Sequence, residues 1–193
     1  VDGGMVGELA GELEARHRAA RDELLEGLGS DRHLQLVAAL ELLVREPPCT
    51  TVAEQPARTA LPPLVQRDWR RVEERAATAA ECEERAAQEA ARHELRKAAK
   101  RLRYACEAVA PVFGPPVAGL GAAAEQLQDV LGEYHDSVVS QHLVRRLGAG
   151  GIGPALLERL LVLEQQRELR AEAKLDDAWR AISDPRLREW LVD

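Results

Sequence analysis

The sequence predicts an all-α fold, a bundle of long antiparallel helices. Ala and Leu supply 60 of the 193 residues and only six residues are aromatic, and small aliphatic residues of this kind favour helices. Ile and Val together number 18, and no segment alternates apolar and polar residues over the length of a strand, which excludes an all-β fold. A chain of this length buries roughly 70% of the surface that its unfolded form exposes, enough for one or two domains.

The N-terminal part predicts two helices and a connection. Residues 5–28 carry leucines spaced among charges, and the Gly-Ser-Asp sequence at 29–31 supplies a stop and a new N-cap. A second helix follows to about residue 45. Residues 47–63 are rich in Pro and Thr and lack periodicity, so we place the main boundary there, between a helical hairpin at 1–46 and a bundle at 64–193.

The bundle is predicted from the positions of Gly and Pro, which interrupt helices. Residues 64–110 contain neither, and a lapse in hydrophobic periodicity at 78–83 predicts a hairpin turn there. The sequence then predicts the following elements: a break at 111–116, a helix at 117–131 ending at Gly132, a helix at 136–147, a long helix at 154–182, and an apolar tail with Leu187, Trp190 and Leu191 that packs back on the bundle.

Charge and cysteine usage exclude several classes of protein. The net charge of −7 argues against a protein whose whole surface coats nucleic acid or membrane, although a local basic site is compatible with it. The three cysteines show no metal or redox spacing and are interpreted as free thiols of a cytoplasmic protein. No apolar run approaches the ~20 residues that span a bilayer, so no membrane partner is expected.

One segment concentrates positive charge. Residues 92–103 hold six cations and one acid, and two of the three lysines of the chain lie here. On a helix, one arc of about 120° collects most of the polar side chains and the opposite arc is apolar. The polar arc contains His93, Arg96, Lys97, Lys100, Arg103, Tyr104 and Glu107. The apolar arc contains Leu95, Ala98, Ala99, Leu102, Ala105, Cys106 and Val109.

These cations repel one another along their own helix. Like-charge pairs such as Arg96 with Lys100 lie one turn apart, and together they disfavour the helix by about 1 to 2 kcal/mol. An external anion offsets this repulsion in one interpretation. In the other, acids of neighbouring helices neutralise it, with Asp129, Glu133 and Asp136 as the candidates.

The length of the cationic arc indicates the kind of anion. Positions 93–103 extend for roughly 15 Å along a helix, which suits a linear polyanion better than a single phosphate. Arg and Lys both suit phosphate oxygens, and Tyr104 adds a hydroxyl donor. Since Tyr104 is the only aromatic residue of the arc, sequence-specific recognition of single-stranded nucleic acid is not expected.

The same segment resembles the signature helix of the conserved histidine α-helical domain (CHAD) family. The similar residues are His93, Leu95, Arg96, Lys97, Lys100, Arg101, Leu102, Arg103, Tyr104 and Glu107. A second stretch, Leu127-Gln128-Asp129-Val130-Leu131-Gly132 followed by Asp136, is similar to another element of the family.

The resemblance implies a fold of two similar four-helix halves that binds inorganic polyphosphate. Residues 64–193 would form the second half, and 1–46 would be the last helices of the first half, because 5–45 hold no second copy of the motif. Implied binding residues are His93, Arg96, Lys97, Lys100, Arg101, Arg103 and Tyr104, supported by Glu107, Gln128 and Asp136. Implied partners are polyphosphate, its granules in a bacterial-type cytoplasm, or a triphosphate-tunnel catalytic domain.

The sequence offers no candidate nucleophile, general base or phosphate-binding loop for catalysis. We therefore predict a binding module without a cofactor. A metal at His93 with Glu107 and Asp136 would make a phosphohydrolase, but the neighbouring cations disfavour it. A helical scaffold for protein partners is the third class. Asp136 is predicted as an N-cap or as a residue that orients the cations, and protonation of His93 is expected to strengthen anion binding.

Overall fold

The computed structural model describes residues 3–148 and 153–191, and within these ranges it holds helices and short connections but no strand. The predicted all-α helical bundle is thereby confirmed. The α-helices are α1 (Gly3–Leu28), α2 (Asp31–Arg45), α3 (Ala57–Ala60), α4 (Pro62–Glu81), α5 (Arg85–Phe113), α6 (Pro115–Gly148) and α7 (Pro154–Ile182). Two 3-10 helices lie at Thr51–Glu54 and Pro185–Leu191.

Helices α1 and α2 meet at the predicted stop. Ser30 is the N-cap of α2, and its hydroxyl accepts a hydrogen bond of 3.3 Å from the backbone N–H of His33. No described side chain of either helix is buried. Their exposed large apolar residues are Leu13, Leu24, Leu25, Leu28, Leu34, Leu36, Val37, Leu40, Leu42, Leu43 and Val44.

The predicted hairpin within residues 64–110 is also confirmed. Helix α4 ends at Glu81 and α5 begins at Arg85, so the turn lies at 82–84, at the end of the predicted interval. Helix α4 starts at Pro62, where a proline costs no hydrogen bond because the first N–H groups of a helix have no partner within it.

The predicted break at 111–116 is narrower in the structure. Helix α5 continues through Pro111 to Phe113, since a proline in the last turn removes only one intrahelical hydrogen bond. The chain reverses at Gly114, whose φ of 68° is readily adopted only by glycine. Helix α6 then begins at Pro115 and runs antiparallel to α5.

The predicted helix end at Gly132 is wrong, because α6 is continuous from Pro115 to Gly148. Apolar residues on both sides of Gly132 are buried, among them Leu131 and Tyr134, and this packing holds the helix together. Gly132 is itself buried in the interior of α6. Asp136 is therefore an exposed residue within α6, and its predicted role as an N-cap is wrong as well.

The core lies among α4, α5, α6 and α7, and the C-terminal tail closes it as predicted. The rings of Trp69 and Trp179 stack with centroids 6.3 Å apart, and those of Phe113 and Trp190 approach to 4.9 Å. Arg188 covers the Trp69 ring at 3.9 Å and donates hydrogen bonds to two backbone carbonyls at the end of α7. These contacts attach the last 3-10 helix to the bundle.

None of the helices in the described ranges is long and apolar enough to cross a membrane.

Candidate anion-binding site

Helix α5 is fixed in the bundle by its apolar side. The predicted apolar arc is buried except for the half-buried Ala105. Leu95, Ala98, Ala99, Leu102, Cys106 and Val109 are between 0% and 6% exposed. Burial also raises the pKa of the Cys106 thiol to about 12, which makes this cysteine an inert core residue. Because one side of α5 is in the core, the opposite side is held outward.

We call this outward side the basic ridge, and define it as His93, Arg96, Lys97, Lys100, Arg103 and Tyr104. Its side chains range from half-buried to exposed, and Tyr104 is 47% exposed. The ridge spans about three turns of helix. The structure thus brings together six of the seven residues predicted to bind the anion.

Arg103 is held in place from three sides. Its Nη1 donates to the Glu107 carboxylate at 2.7 Å and lies 3.6 Å from Glu125. Its Nε donates to the side-chain oxygen of Gln128 on α6 at 3.2 Å. The guanidinium also covers the Tyr104 ring at 4.5 Å. Glu107 and Gln128 therefore support Arg103, and they do so from two different helices.

The two lysines of the ridge differ in their partners. Lys97 forms an ion pair of 2.5 Å with Glu94, one turn away on α5. Lys100 has no carboxylate within 4.0 Å among the described residues, and its Nζ lies 5.7 Å from the Tyr104 ring. Lys100 is thus the most available cation of the ridge.

Arg96 lies against α6 where the two helices cross closely. A Cβ on residue 132 would stand 3.3 Å from the Nε of Arg96, so the glycine gives the guanidinium room to lie across α6. That Nε is buried and has no hydrogen-bond partner in the described part of the chain.

His93 contacts a second histidine, His135, which no sequence pattern indicates. The ring centroids of His93 and His135 are 4.5 Å apart and the ring planes are tilted by 38°. His93 Nδ1 is buried without a partner among the residues described. Burial lowers the pKa of His93, and the charges of His135 and Lys97 lower it further. Only the packing of α5 on α6 reveals this pair, because the two residues lie 42 positions apart.

Two cations of the predicted segment point elsewhere. Arg101 donates to Asp68 on α4 at 2.8 Å, and Asp68 is only 7% exposed. Arg92 donates to Glu172 on α7 at 2.6 Å and covers the ring of Tyr134. Arg101, one of the predicted binding residues, thus lies at the α4 edge of the ridge and is engaged by a buried acid.

The acids predicted to neutralise the ridge form no ion pair with its cations among the residues described. Glu133 pairs with Lys174 at 2.8 Å, and Asp129 accepts from Gln128 at 3.4 Å. Asp136 forms no ion pair among the residues described. The acids that do contact ridge cations are Glu94, Glu107 and Glu125.

No group of three or more His, Cys, Asp or Glu side chains in the described part of the chain is arranged to hold a metal ion. In particular, His93, Glu107 and Asp136 do not form such a group. The side chains present are suited to hydrogen bonding and charge pairing with an anion.

The fold and site define an all-helical domain that presents a basic helix face on a packed bundle. The model of the CHAD domain family matches residues 4–145, and the chain belongs to this family. The predicted resemblance is confirmed.

Two curated proteins from two strains of Mycobacterium tuberculosis, named Uncharacterized protein MT2285 and Uncharacterized protein Rv2226, are similar to the chain. Each is 30% identical over an alignment of 174 residues that covers 86% of this chain. The chain spans only 32% of the length of these relatives. No solved structure matches it.

Proposed function

We propose that the chain binds inorganic polyphosphate along the basic ridge. The observation that carries this proposal is a row of cations about 15 Å long on one side of a helix whose other side is in the core. A row of this kind matches a chain of phosphates with regularly repeated charge. The family to which the chain belongs supports the same ligand.

The ion pairs within the ridge are easily exchanged for a ligand. Glu94 and Glu107 are 43% and 55% exposed at their side chains, and exposed pairs of this kind contribute about 0.2 to 1 kcal/mol each. A phosphate oxygen can displace these carboxylates at small cost. Lys100 and Arg96 need no such exchange, because neither has a carboxylate partner in the described part of the chain.

The ridge favours polyphosphate over nucleic acid. Base stacking needs exposed aromatic rings, and Tyr104 supplies the only one on the ridge. The exposed Glu125, Asp129 and Asp136 on the adjacent α6 also disfavour a wide polyanion that would extend beyond the ridge. A thin chain of phosphates avoids both problems.

Binding through about five surface contacts is expected to be weak and sensitive to salt. Contacts of about 0.2 to 1 kcal/mol add up to a few kcal/mol, and each phosphate neutralised releases counterions. Affinity should fall steeply between about 50 and 200 mM salt. An affinity independent of salt would contradict a site of this composition.

The test is a titration with long-chain polyphosphate, with DNA of equal charge as the competing ligand. The variant Lys97→Glu, Lys100→Glu and Arg103→Glu reverses three ridge charges. A matched control reverses three exposed arginines outside the ridge, Arg146, Arg159 and Arg170, each to Glu. We expect the ridge variant to lose binding and the control to keep most of it. An equal loss of polyphosphate affinity in both variants would mean that binding depends only on the net charge of the chain. That result would overturn the assignment of binding to the ridge.

The same titration separates the other two classes of function. Release of phosphate that depends on a divalent metal would indicate a phosphohydrolase. If the wild-type chain does not bind polyphosphate, a helical scaffold for protein partners is the remaining class of function.

A further inference from the structure

We propose that His135 is a further phosphate-contacting residue, and that the His93–His135 pair takes up a proton from solvent when polyphosphate binds. This inference rests on the proposed function. It adds a residue that the cationic motif of α5 does not contain.

The two imidazole rings lie next to each other where α5 packs on α6. His93 is on α5 and His135 is on α6, with ring centroids 4.5 Å apart at the N-terminal end of the basic ridge. Arg96 crosses α6 at Gly132, one turn of helix from His135. The two imidazoles and the guanidinium therefore form one cluster of nitrogen donors between α5 and α6.

Two polar atoms of this cluster are buried and have no hydrogen-bond partner among the residues described. Three buried side-chain nitrogen or oxygen atoms lack a hydrogen-bond partner in the described ranges, and two of them are His93 Nδ1 and Arg96 Nε. A buried polar group without a partner is unfavourable and calls for an explanation. Both atoms belong to residues of the basic ridge, so an anion bound along the ridge places acceptors close to them.

The charges around the pair determine its protonation. Glu94, Arg96 and Lys97 surround His93 on α5, Glu89 lies one turn before it, and Asp136 follows His135 on α6. Glu89 is paired with Arg85. Burial of His93 and the charges of the second imidazole, Lys97 and Arg96 oppose a proton on His93, and Glu94 favours one. Two imidazolium rings at this distance repel each other in the free protein.

A bound phosphate reverses this balance. Its negative charge stabilises a proton on either ring and offsets their mutual repulsion, so the pair binds more protons in the complex than in the free chain. By linkage, polyphosphate affinity then rises as the pH falls. One extra proton corresponds to as much as about tenfold in affinity for each pH unit.

The experiment is a calorimetric titration of the full chain with long-chain polyphosphate near pH 6.5, in two buffers with different ionisation enthalpies. The difference between the two observed enthalpies gives the protons taken up. We expect uptake approaching one proton for the wild-type chain and clearly less for His135→Gln. The matched control is His142→Gln, an exposed histidine two turns further along α6, which should keep the wild-type uptake.

A fixed charge at the same position completes the test. His135→Arg should bind polyphosphate at about pH 8 as tightly as the wild-type chain binds it at about pH 6. The affinity of this variant should change little between these two pH values. Circular dichroism checks that each variant keeps its helical fold. Equal proton uptake by the wild-type chain and His135→Gln, or binding of His135→Arg no tighter than wild type at the higher pH, would overturn the inference while leaving polyphosphate binding intact. No binding by the wild-type chain at either pH would overturn the proposed function, and this inference with it.

Discussion

The two sides of α5 belong to one helix but differ in what holds their side chains. On the core side, Leu102 is fully buried, and its position is determined by contacts with other helices. On the outer side, Lys100 and Tyr104 are exposed and take part in contacts that water and salt can replace. A change on the core side should therefore affect folding, whereas a change on the outer side should affect binding.

The largest effect is expected from Leu102→Ala. Removal of a fully buried leucine leaves a cavity and should lower the free energy of unfolding by about 2 to 5 kcal/mol. Urea denaturation measures this loss. Lys100→Ala, two positions away, should change the free energy of unfolding by less than about 0.5 kcal/mol. A comparable loss of stability in both variants would contradict the difference between the two sides of α5.

Arg101→Ala tests the edge between the two sides. Arg101 pairs with the buried Asp68, which would keep only the 3.4 Å contact to Arg71. We expect the free energy of unfolding to fall by about 1 to 2 kcal/mol, with a smaller loss of polyphosphate affinity than Lys100→Ala causes. Denaturation and titration of both variants check this, and the reverse order of affinities would place Arg101 among the principal ligand contacts.

Gly132→Ala separates folding from binding at a single position. Alanine favours a helix by about 1 kcal/mol over glycine, but its Cβ stands 3.3 Å from Arg96 Nε and should displace that side chain. We expect stability to be kept or raised and polyphosphate affinity to fall a few-fold. Gly11→Ala in α1, where a Cβ meets nothing within 4 Å, is the control and should leave affinity unchanged.

The pH dependence of stability tests the environment of His93. Because its pKa is lowered from 6.5 in the folded chain, the unfolded chain binds more protons below that pH. Stability should therefore decline as the pH falls through about 6.5, and less so in His93→Gln. Urea midpoints at about pH 7.5 and 5.5 measure the difference between the two proteins; identical pH profiles would contradict the lowered pKa.

The smallest effect is expected from Glu94→Gln. This change removes one negative charge and frees Lys97 from its ion pair, so polyphosphate affinity should rise about two- to fivefold. Glu158→Gln on α7, also exposed, is the matched control. A larger rise in the control than in Glu94→Gln would count against a local effect at the ridge.

Much of α5 could be predicted from its own residues. Its apolar and basic arcs depend only on helical spacing, and the pairing of Arg103 with Glu107 joins residues one turn apart. Contacts between helices were not predictable in this way. Arg101 pairs with Asp68, 33 positions earlier, and His93 meets His135, 42 positions later. Gly132 shows the same limit, since a glycine can end a helix or allow close packing, and only the packing of α6 in the bundle distinguishes the two.

The most direct measurement of the central claim uses the only three lysines of the chain, Lys97, Lys100 and Lys174. Acetylation of each amine is followed by mass spectrometry with and without long-chain polyphosphate at low salt. Lys174 lies on α7 and pairs with Glu133, so it serves as the internal reference. Binding along the ridge predicts strong protection of Lys97 and Lys100 and little protection of Lys174. Equal protection of all three, or protection of Lys174 alone, would contradict it.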